Sequence, residues 1–333
     1  MKYADAGVDI KAAERAKKAM AASVKGIGAF ASVVEAPFKR YQNPVLVFKM
    51  EEPGSKQLLA AQLNMLPSVC EDMVHHLIND IAVMGATPIA VQDVIICGKL
   101  DPNVVTGIVA AIANACGKQG CDLVGGETSE QPGVVPNGAY VLAASVIGIA
   151  ERKNIIDGSK IRAGDVVLAV ESNGLHTNGY SLVRKILKVK PDLLRRKLGN
   201  QSFTQALMKP HLCYYKALRG IFNNPGLHGM AHITGGGIPG NLVRILPKNV
   251  NAEIDLRTIN ILPIFKLIKK EAHVPDSDML RTFNIGVGVT LVATQSSILK
   301  IQSHLRKHRI NCYPIGRIVR GGRKVVLKGR LKW

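Results

Sequence analysis

Strand-type and helix-type segments alternate through the first half of the chain. Strand-type runs cover Pro44–Phe48, Pro88–Ile96 and Tyr140–Ala150, where apolar and β-branched residues predominate. Between them, Asp72–Gly85 carries apolar residues at helix spacing, and Pro102–Cys116 follows a capping aspartate. This order of segments excludes both a pure helix bundle and an all-β sandwich. We therefore expect the α+β class, with mixed α/β layers.

A polar, turn-rich segment, E-R-K-N-I-I-D-G-S-K-I-R-A-G at Glu151–Gly164, interrupts the pattern near the middle of the chain. The 333 residues suit two domains, which we place at 1–155 and 156–333. In the second domain the pattern predicts strands at Val166–Val170 and Val287–Ala293, helices at Asn178–Leu187, Phe203–Asn223 and Asn241–Leu246, and a terminal hairpin over Tyr313–Leu331.

Charge is divided unevenly between the two halves. Residues 1–150 hold 12 Lys and Arg against 14 Asp and Glu, whereas residues 151–333 hold 32 against 10. Residues 301–333 alone hold ten Lys and Arg and no acidic residue. A basic half attracts phosphates on metabolites, RNA or an anionic surface, and net charge does not choose among them.

Nothing in the sequence indicates a membrane protein or a secreted one. No run approaches the roughly 20 apolar residues of a membrane helix, and Asp5 and Asp9 lie where a signal peptide needs an apolar core. The six cysteines are scattered, which favours reduced thiols. We expect a cytoplasmic protein with no membrane partner.

Glycine-punctuated segments are the candidates for ligand binding. G-G-E-T-S-E-Q-P-G at Gly125–Gly133 follows a strand, so we expect a flexible loop that presents Glu127 to a metal or phosphate. An ordinary acidic turn is the alternative. H-I-T-G-G-G at His232–Gly237 has three consecutive glycines before a predicted helix, which favours a loop that cradles a ligand.

G-L-H-T-N-G-Y-S-L-V-R-K at Gly174–Lys185 brings small polar groups to the start of a helix, where free N–H groups bind anions. Plain capping by Thr177 or Asn178 is the alternative. An acidic set, Asp72, Asn79, Asp80 and Asp93, also stands out, although on spacing alone a capping Asp72 with a C-terminal Asn-Asp turn is the better explanation.

Together and in this order, the segments resemble the aminoimidazole ribonucleotide (AIR) synthetase family, the phosphoribosylformylglycinamidine cyclo-ligases of the purine pathway. The resemblance runs nearly end to end. It rests on Y-A-D-A-G-V-D-I at Tyr3–Ile10, N-D at Asn79–Asp80, G-A-T-P at Gly85–Pro88, G-K-L-D at Gly98–Asp101, G-G-E-T, I-I-D-G-S-K at Ile155–Lys160, H-T-N-G-Y-S-L-V-R-K, H-I-T-G-G-G and R-T-F-N-I-G-V-G at Arg281–Gly288.

The resemblance implies a homodimer in which the N-terminal α/β domains contribute strands to a shared barrel. It also implies a reaction on a phosphorylated small molecule. ATP, with Mg²⁺, activates the formyl amide oxygen of formylglycinamidine ribonucleotide, and the amidine nitrogen then closes the imidazole ring, giving ADP and phosphate. Such a reaction needs cations around the transferring phosphoryl group and a site that holds the substrate folded.

The resemblance further implies roles for residues that match the family's motifs. It assigns metal binding to Glu51, Asp80, Asp93 and Glu127, and places Gly54, Ser55, Lys56, Asp72, Asn79, Gly125, Gly126 and Thr128 around the ATP. It assigns substrate binding to His176, Thr177, Asn178, Gly179, Ser181, Thr234, Gly235, Gly236 and Gly237. Among candidate catalytic residues, His232 suits proton transfer best because imidazole titrates near neutral pH, with His176 second and Lys56 as a phosphate partner.

The sequence departs from the family pattern on the ATP side. The family's T-D-G-V-G-T-K reads M-E-E-P-G-S-K at Met50–Lys56, and its G-L-G-G-F-G reads G-I-G-A-F-A at Gly26–Ala31. His75 and His76 stand where the family has small or sulfur-containing residues. Three interpretations follow: a working cyclo-ligase, a catalytically lapsed relative kept for binding or as a structural partner of RNA, and another member of the wider ATP-dependent superfamily.

Overall fold

The computed structural model describes residues 10–26 and 30–333 of the chain. Most of the Tyr3–Ile10 motif and the centre of the Gly26–Ala31 segment lie outside the described residues. The chain divides into two compact units, of which the first takes residues up to Ile81 together with Ala86–Arg152. The second takes Ala82–Gly85 together with Lys153–Trp333. This division falls close to the boundary placed at 155/156.

Helices and strands alternate in the first unit, as the sequence predicts. The elements are α1 (Ile10–Met20), β1 (Pro44–Glu51), α2 (Lys56–Gln62), α3 (Leu66–Ala82), β2 (Thr87–Cys97), α4 (Pro102–Gln119), β3 (Asp122–Glu130) and β4 (Tyr140–Glu151). Asp101 caps α4 by accepting the backbone N–H groups of Asn103 and Val104. α3 begins at Leu66, six residues before the start predicted at Asp72. It buries the apolar side that the spacing indicated.

The four strands form one sheet in the order β1-β4-β2-β3, with β2 and β3 parallel and the other pairs antiparallel. One face packs against helices, since Lys49 of β1 contacts Asp80 of α3. Neighbouring strand residues point to opposite faces, so Leu46, Phe48 and Met50 lie on the other face, where they are exposed. We call this face, with its exposed β1 side chains, the open face.

The second unit surrounds a six-stranded sheet. Its elements are β5 (Val166–Glu171), α5 (Tyr180–Val189), β6 (Lys197–Leu198), β7 (Gln201–Ser202), α6 (Phe203–Met208), α7 (Tyr215–Arg219), β8 (Leu227–His232), α8 (Gly237–Leu242), β9 (Val250–Asp255), α9 (Pro263–Ala272), α10 (Asp276–Thr282), β10 (Val287–Ala293), α11 (Ile298–Lys307), β11 (Cys312–Arg320) and β12 (Val325–Lys328). The sheet order is β12-β9-β11-β5-β10-β8. All residues of β8 and β10 are buried, so both strands lie wholly within the core.

Two predictions about the strands are wrong. Most of the loop predicted at Gly125–Gly133 is strand, because β3 continues to Glu130 in parallel pairing with β2. Strand pairing here overrides the turn signal of the glycines. The prediction of a C-terminal hairpin is also wrong, because β11 and β12 both pair with β9 rather than with each other. The Asn251 side chain accepts the backbone N–H groups of Gly322 and Lys324, which holds the connection across the sheet.

Two helix predictions also need correction. The helix predicted over Phe203–Asn223 divides into α6 and α7, because Pro210 has no N–H and its ring blocks a continuous helix. The helix predicted over Asn241–Leu246 begins earlier, at Gly237, and ends at Leu242. The register of β10 against β5 shifts between Val287 and Val289, next to Gly288, so the pairing contains a bulge there.

Candidate active site

Lys56 and Asp72 form an ion pair in the interior of the first unit. Lys56 begins α2, and its Nζ lies 2.7 Å from Oδ2 of Asp72 on α3, with neither side chain exposed. Burial lowers the pKa of Lys56, and the Asp72 carboxylate opposes that shift. The pair fixes the start of α2 against α3, so it positions the segment Met50–Lys56 that precedes it.

A cluster of four charged or titratable side chains lies beside this pair along β1 and α3. Nζ of Lys49 lies 3.1 Å from both Oε2 of Glu51 and Oδ2 of Asp80. Nε2 of His76 lies 3.6 Å and 3.7 Å from the same two oxygens. Burial tends to lower the pKa of Lys49, but the charges of Asp80 and Glu51 outweigh it and raise that pKa.

The cluster thus brings together Glu51 and Asp80, two of the four predicted metal ligands. Their carboxylate oxygens are the hard donors that Mg²⁺ takes, so the donor chemistry fits the metal. The prediction did not include Lys49 and His76. Their signals are present in the sequence, because Lys49 and Glu51 share one face of a strand, while His76 and Asp80 are one helical turn apart.

The other two predicted metal ligands lie elsewhere in the sheet. Asp93 of β2 is buried on the helix-packed face, and burial raises the pKa of its carboxyl to about 7. Gly126 pairs with it, and a Cβ at Gly126 would collide with the Asp93 carboxylate. Glu127 is the next residue along β3 and is exposed, so it points to the open face. Among the described residues, neither carboxylate joins a group of three metal-ligating side chains.

The remaining residues predicted to surround ATP lie on α3 and β3 or directly before α2. Gly54 has a φ of 61° and, with Ser55, leads into α2. Asn79 is buried on α3, one residue before Asp80. Gly125 and Thr128 lie on β3 on either side of Gly126 and Glu127. In the altered loop Pro53 is buried and Glu52 is exposed, so the charge of Glu52 lies in solvent.

In the second unit, the predicted substrate loops lie against each other. A Cβ at Gly235 would lie 3.4 Å from the side-chain oxygen of Asn178, so the glycine loop directly faces the loop before α5. The buried Nδ2 of Asn178 has no hydrogen-bond partner in the part of the chain that is described. A buried amide donor without a partner indicates a place for a polar ligand.

Asn241 holds the glycine loop in shape. Its Nδ2 donates to the carbonyl oxygens of Thr234, Gly235 and Gly237 at 3.3, 3.2 and 2.9 Å. Gly236 and Gly237 have φ values of 95° and 61°, which other residues rarely adopt. Asn241 is absent from the predicted site, although it follows the glycine run by only four residues.

Two further contacts position the loop before α5. Gly179 has a φ of 80°, and a Cβ there would collide with the ring of Phe283. Nδ2 of Asn284 donates to the carbonyl oxygen of Gly174 at 2.9 Å. The R-T-F-N-I-G-V-G segment therefore supports the substrate loop. Within that loop Thr177 is buried and Ser181 is exposed on the first turn of α5.

The two candidate catalytic histidines of this unit are joined by a third. His176 and His211 stack with ring centroids 3.7 Å apart and an interplanar angle of 18°. Nε2 of His211 lies 3.0 Å from Nε2 of His232, and all three side chains are buried. Nothing in the sequence marks His211, because it lies in a segment predicted to be helical, immediately after the proline that breaks that helix.

Part of the basic C-terminal tail is engaged within the fold. Arg317 and Lys328 both form ion pairs with Glu253, and Arg323 donates to the carbonyl oxygens of Val243 and Arg244. Arg306, Lys307 and Arg309 are exposed near the end of α11. Binding of RNA by this tail stays a prediction.

Comparison with known proteins places the chain in a family. The model described as AIR synthase related protein, N-terminal domain, matches residues 42–150, and the corresponding C-terminal domain model matches residues 162–328. The chain belongs to the AIR synthase family. It is 40% identical over 325 residues to a phosphoribosylformylglycinamidine cyclo-ligase of Methylobacillus flagellatus, covering 95% of this chain and 94% of that protein. For the enzyme of the same name from Nitrosococcus oceani, identity is 39% over 328 residues, with 96% and 92% covered.

Solved structures share the fold of this AIR synthase family member at low sequence identity. The thiamine-monophosphate kinase of Stenotrophomonas maltophilia superposes with a TM-score of 0.69 at 14% identity, covering 96% of each chain. A hydrogenase maturation protein, HypE, solved in complex with ATP, superposes with a TM-score of 0.67 at 15% identity, covering 93% of this chain and 88% of its own. No helix among the described residues is long and apolar enough to span a membrane.

Proposed function

We propose that this protein is an ATP-dependent cyclo-ligase of purine biosynthesis, which converts formylglycinamidine ribonucleotide to aminoimidazole ribonucleotide with release of ADP and phosphate. The observation that carries the proposal is the 40% identity, over 95% of the chain, to a relative named for this reaction. The meeting of the Asn178 and Gly235 loops supports it, because both segments are those matched to ribonucleotide binding. The free thiols of all six cysteines agree with a cytoplasmic enzyme.

In this proposal the first unit binds ATP and Mg²⁺. Glu51 and Asp80 would hold the metal, with Asp93, on the same face of the sheet as Glu51, as a further predicted ligand. Glu127 lies on the open face of this sheet and stays a predicted ATP-binding residue. When bound, Mg²⁺ neutralises charge on the transferring phosphoryl group. Lys49 bridges the same two carboxylates, so it keeps them together before the metal binds. The Lys56–Asp72 pair orients the loop after β1 so that Gly54 and Ser55 approach the phosphates.

The second unit binds the ribonucleotide. The Asn178 amide and the backbone of Thr234–Gly237 surround its phosphate or ribose hydroxyls, and the basic character of this half attracts the phosphate. His232 lies at the end of β8, directly before the glycine loop. From there it accepts the proton that the amidine nitrogen loses during ring closure, with His176 close by as the second candidate.

The functional unit in this proposal is a homodimer. Leu46, Phe48 and Met50 project from β1 with 42%, 67% and 69% of their surfaces exposed. Exposed apolar residues in a row on one sheet face are typical of an interface, and a second copy of the chain is the occupant that the family resemblance implies. Pairing of two open faces would form the shared barrel.

The decisive experiment is coupled ADP release by the purified protein with Mg²⁺, ATP and formylglycinamidine ribonucleotide. Turnover that requires the ribonucleotide supports the cyclo-ligase. Glu127→Ala should abolish that turnover while the protein stays folded, and Glu14→Ala, the same change on α1, should not. Unchanged activity of Glu127→Ala would remove that residue from the site.

A double variant, Glu51→Asp with Glu52→Gly, tests the altered loop in parallel. If the native protein releases no ADP and the double variant does, the loop changes have disabled an otherwise intact site. If neither protein releases ADP while the ribonucleotide still binds, the protein binds the ribonucleotide without catalysing the reaction, and the proposed function is wrong.

A further inference from the structure

The histidine cluster of the second unit, His176, His211 and His232, has the composition of a metal site. One ring nitrogen of each lies within 4.8 Å of the others, and three imidazoles are a common donor set for zinc. A metal ion lies in the plane of an imidazole that binds it, about 2.0–2.1 Å from the nitrogen. His176 and His211 have nearly parallel planes, with centroids 3.7 Å apart, so one ion cannot lie in both planes.

The geometry instead indicates a hydrogen bond between two of the rings. The Nε2 atoms of His211 and His232 are 3.0 Å apart, and the side chains are 1% and 6% exposed. A hydrogen bond between two ring nitrogens needs one N–H and one bare nitrogen. The protonation of one Nε2 therefore dictates that of the other, and the tautomers of His211 and His232 are coupled.

His211 is held rigidly for this task. Its ring lies on His176, which in turn meets Tyr214 edge-on at 6.2 Å. The Tyr214 hydroxyl donates to the carbonyl oxygen of Glu171 at 2.8 Å. Pro210 precedes His211 in the chain, and its carbonyl oxygen accepts a hydrogen bond from Nδ2 of Asn173 at 2.8 Å. Because the stack and the backbone are both fixed, His211 can fix the orientation of the His232 ring.

We propose that His211 is a positioning residue for His232 in the ring closure, an inference that rests on the function proposed above. When the amidine nitrogen bonds to the activated formyl carbon, the bond from carbon to the phosphorylated oxygen breaks and its electron pair leaves with phosphate. The nitrogen also loses a proton, which His232 accepts at Nδ1. This requires the tautomer in which Nε2–H of His232 donates to His211. The bridging proton can then shift to Nε2 of His211, so the two rings share the positive charge.

The test compares His211→Gln, His232→Gln and the double variant in the ADP-release assay. His308→Gln, a change at an exposed histidine of the same unit, is the control. We expect His211→Gln to lower kcat about 10- to 100-fold with KM for the ribonucleotide little changed. Because the two rings act as one unit, the double variant should lose no more than His232→Gln alone. Wild-type kcat in His211→Gln, or losses that multiply in the double variant, would overturn the inference.

Imidazole NMR of histidine-labelled protein gives a second readout that does not depend on turnover. We expect a slowly exchanging ring N–H signal that disappears in His211→Gln and in His232→Gln and persists in His308→Gln. If the native protein releases ADP but shows no such signal, the inference fails while the proposed function stands. If the signal is present without turnover, the hydrogen bond exists but the catalytic role fails with the proposed function. Should His211→Gln not fold, the native spectrum and His211→Asn decide the same question.

Discussion

Lys56 and Asp72 have no exposed side-chain surface, and their charges lie 2.7 Å apart. Two charges buried in this way stabilise the fold only as a pair, because either one alone lacks compensation. The pair also contrasts with its neighbours on α3 and α4, where Lys118 and Glu71 form an ion pair with the lysine half exposed.

Lys56→Met should therefore be strongly destabilising. We expect a loss of about 3–5 kcal/mol in the free energy of unfolding, because the Asp72 carboxylate is left without its buried cation. Lys118→Met, the matched change in the exposed pair, should cost at most about 1 kcal/mol. Urea denaturation of both variants measures the difference. Equal losses would show that burial of the Lys56 pair does not govern its contribution.

Asp93 gives a pH dependence of known sign. Burial raises the pKa of its carboxyl from 3.8 to about 7. Below pH 4 both the folded and the unfolded chain hold the proton. As pH rises from 4 to 7, the unfolded chain releases it while the folded protein retains it, so the stability that Asp93 contributes is lost across this window.

Asp93→Asn removes this titration. The stability of the variant relative to the native protein should rise between pH 4 and pH 7, by up to about 4 kcal/mol. Asp157→Asn is a suitable control. The pKa of Asp157 is lowered by hydrogen bonds from Ser159, so the stability difference it causes should be constant above about pH 5. Thermal unfolding across the pH range checks both, and a constant difference for Asp93→Asn would contradict the prediction.

At the scale of the element, β1 has one charged face and one exposed apolar face. Lys49 and Glu51 point to α3 and enter the charged cluster, whereas Leu46, Phe48 and Met50 point to the open face. The strand alternation of period two separates the charged cluster from the exposed apolar row within eight residues. α3 does the same at helical spacing, because Asp72, His76 and Asp80 lie one turn apart on one side.

Phe48→Glu should convert a dimer to a monomer. A carboxylate at the centre of the apolar row would have to be buried without a partner in the interface. Leu299→Glu, a change at a similarly exposed apolar residue on α11, should leave the dimer intact. Sedimentation at micromolar concentration measures both. A native protein that sediments as a monomer, or a Phe48→Glu dimer, would show that the open face does not form the interface.

For the whole molecule, the uneven charge predicts a salt dependence of substrate capture. The second half of the chain holds 32 basic and 10 acidic residues, so a phosphorylated substrate is attracted over distances that salt screens. KM for the ribonucleotide should rise several-fold when NaCl is raised from about 20 to 200 mM. As the internal control, kcat at saturating substrate should stay constant. Steady-state kinetics in this salt series checks it, and an unchanged KM would show that the basic half does not steer the substrate.

Much of the fold follows from local pattern. The apolar spacing of α3, the capping aspartate of α4 and the buried run of β4 predict their elements, because each depends on neighbours in sequence. The strand predictions that are wrong concern β3, β11 and β12. Their glycines signal turns, but pairing with β2 and β9 determines their conformation, and those partners are distant in sequence.

The sequence by itself determines the alternation of elements, the charge division and the loop residues matched to the family. Only the tertiary structure decides which of these residues meet. It joins Glu51 and Asp80 through Lys49, places Asp93 and Glu127 on opposite faces of a sheet, and brings His211 to His232. The physical reason is that side-chain contacts across a fold depend on packing and strand register, whereas a sequence pattern reports only on residues a few positions apart.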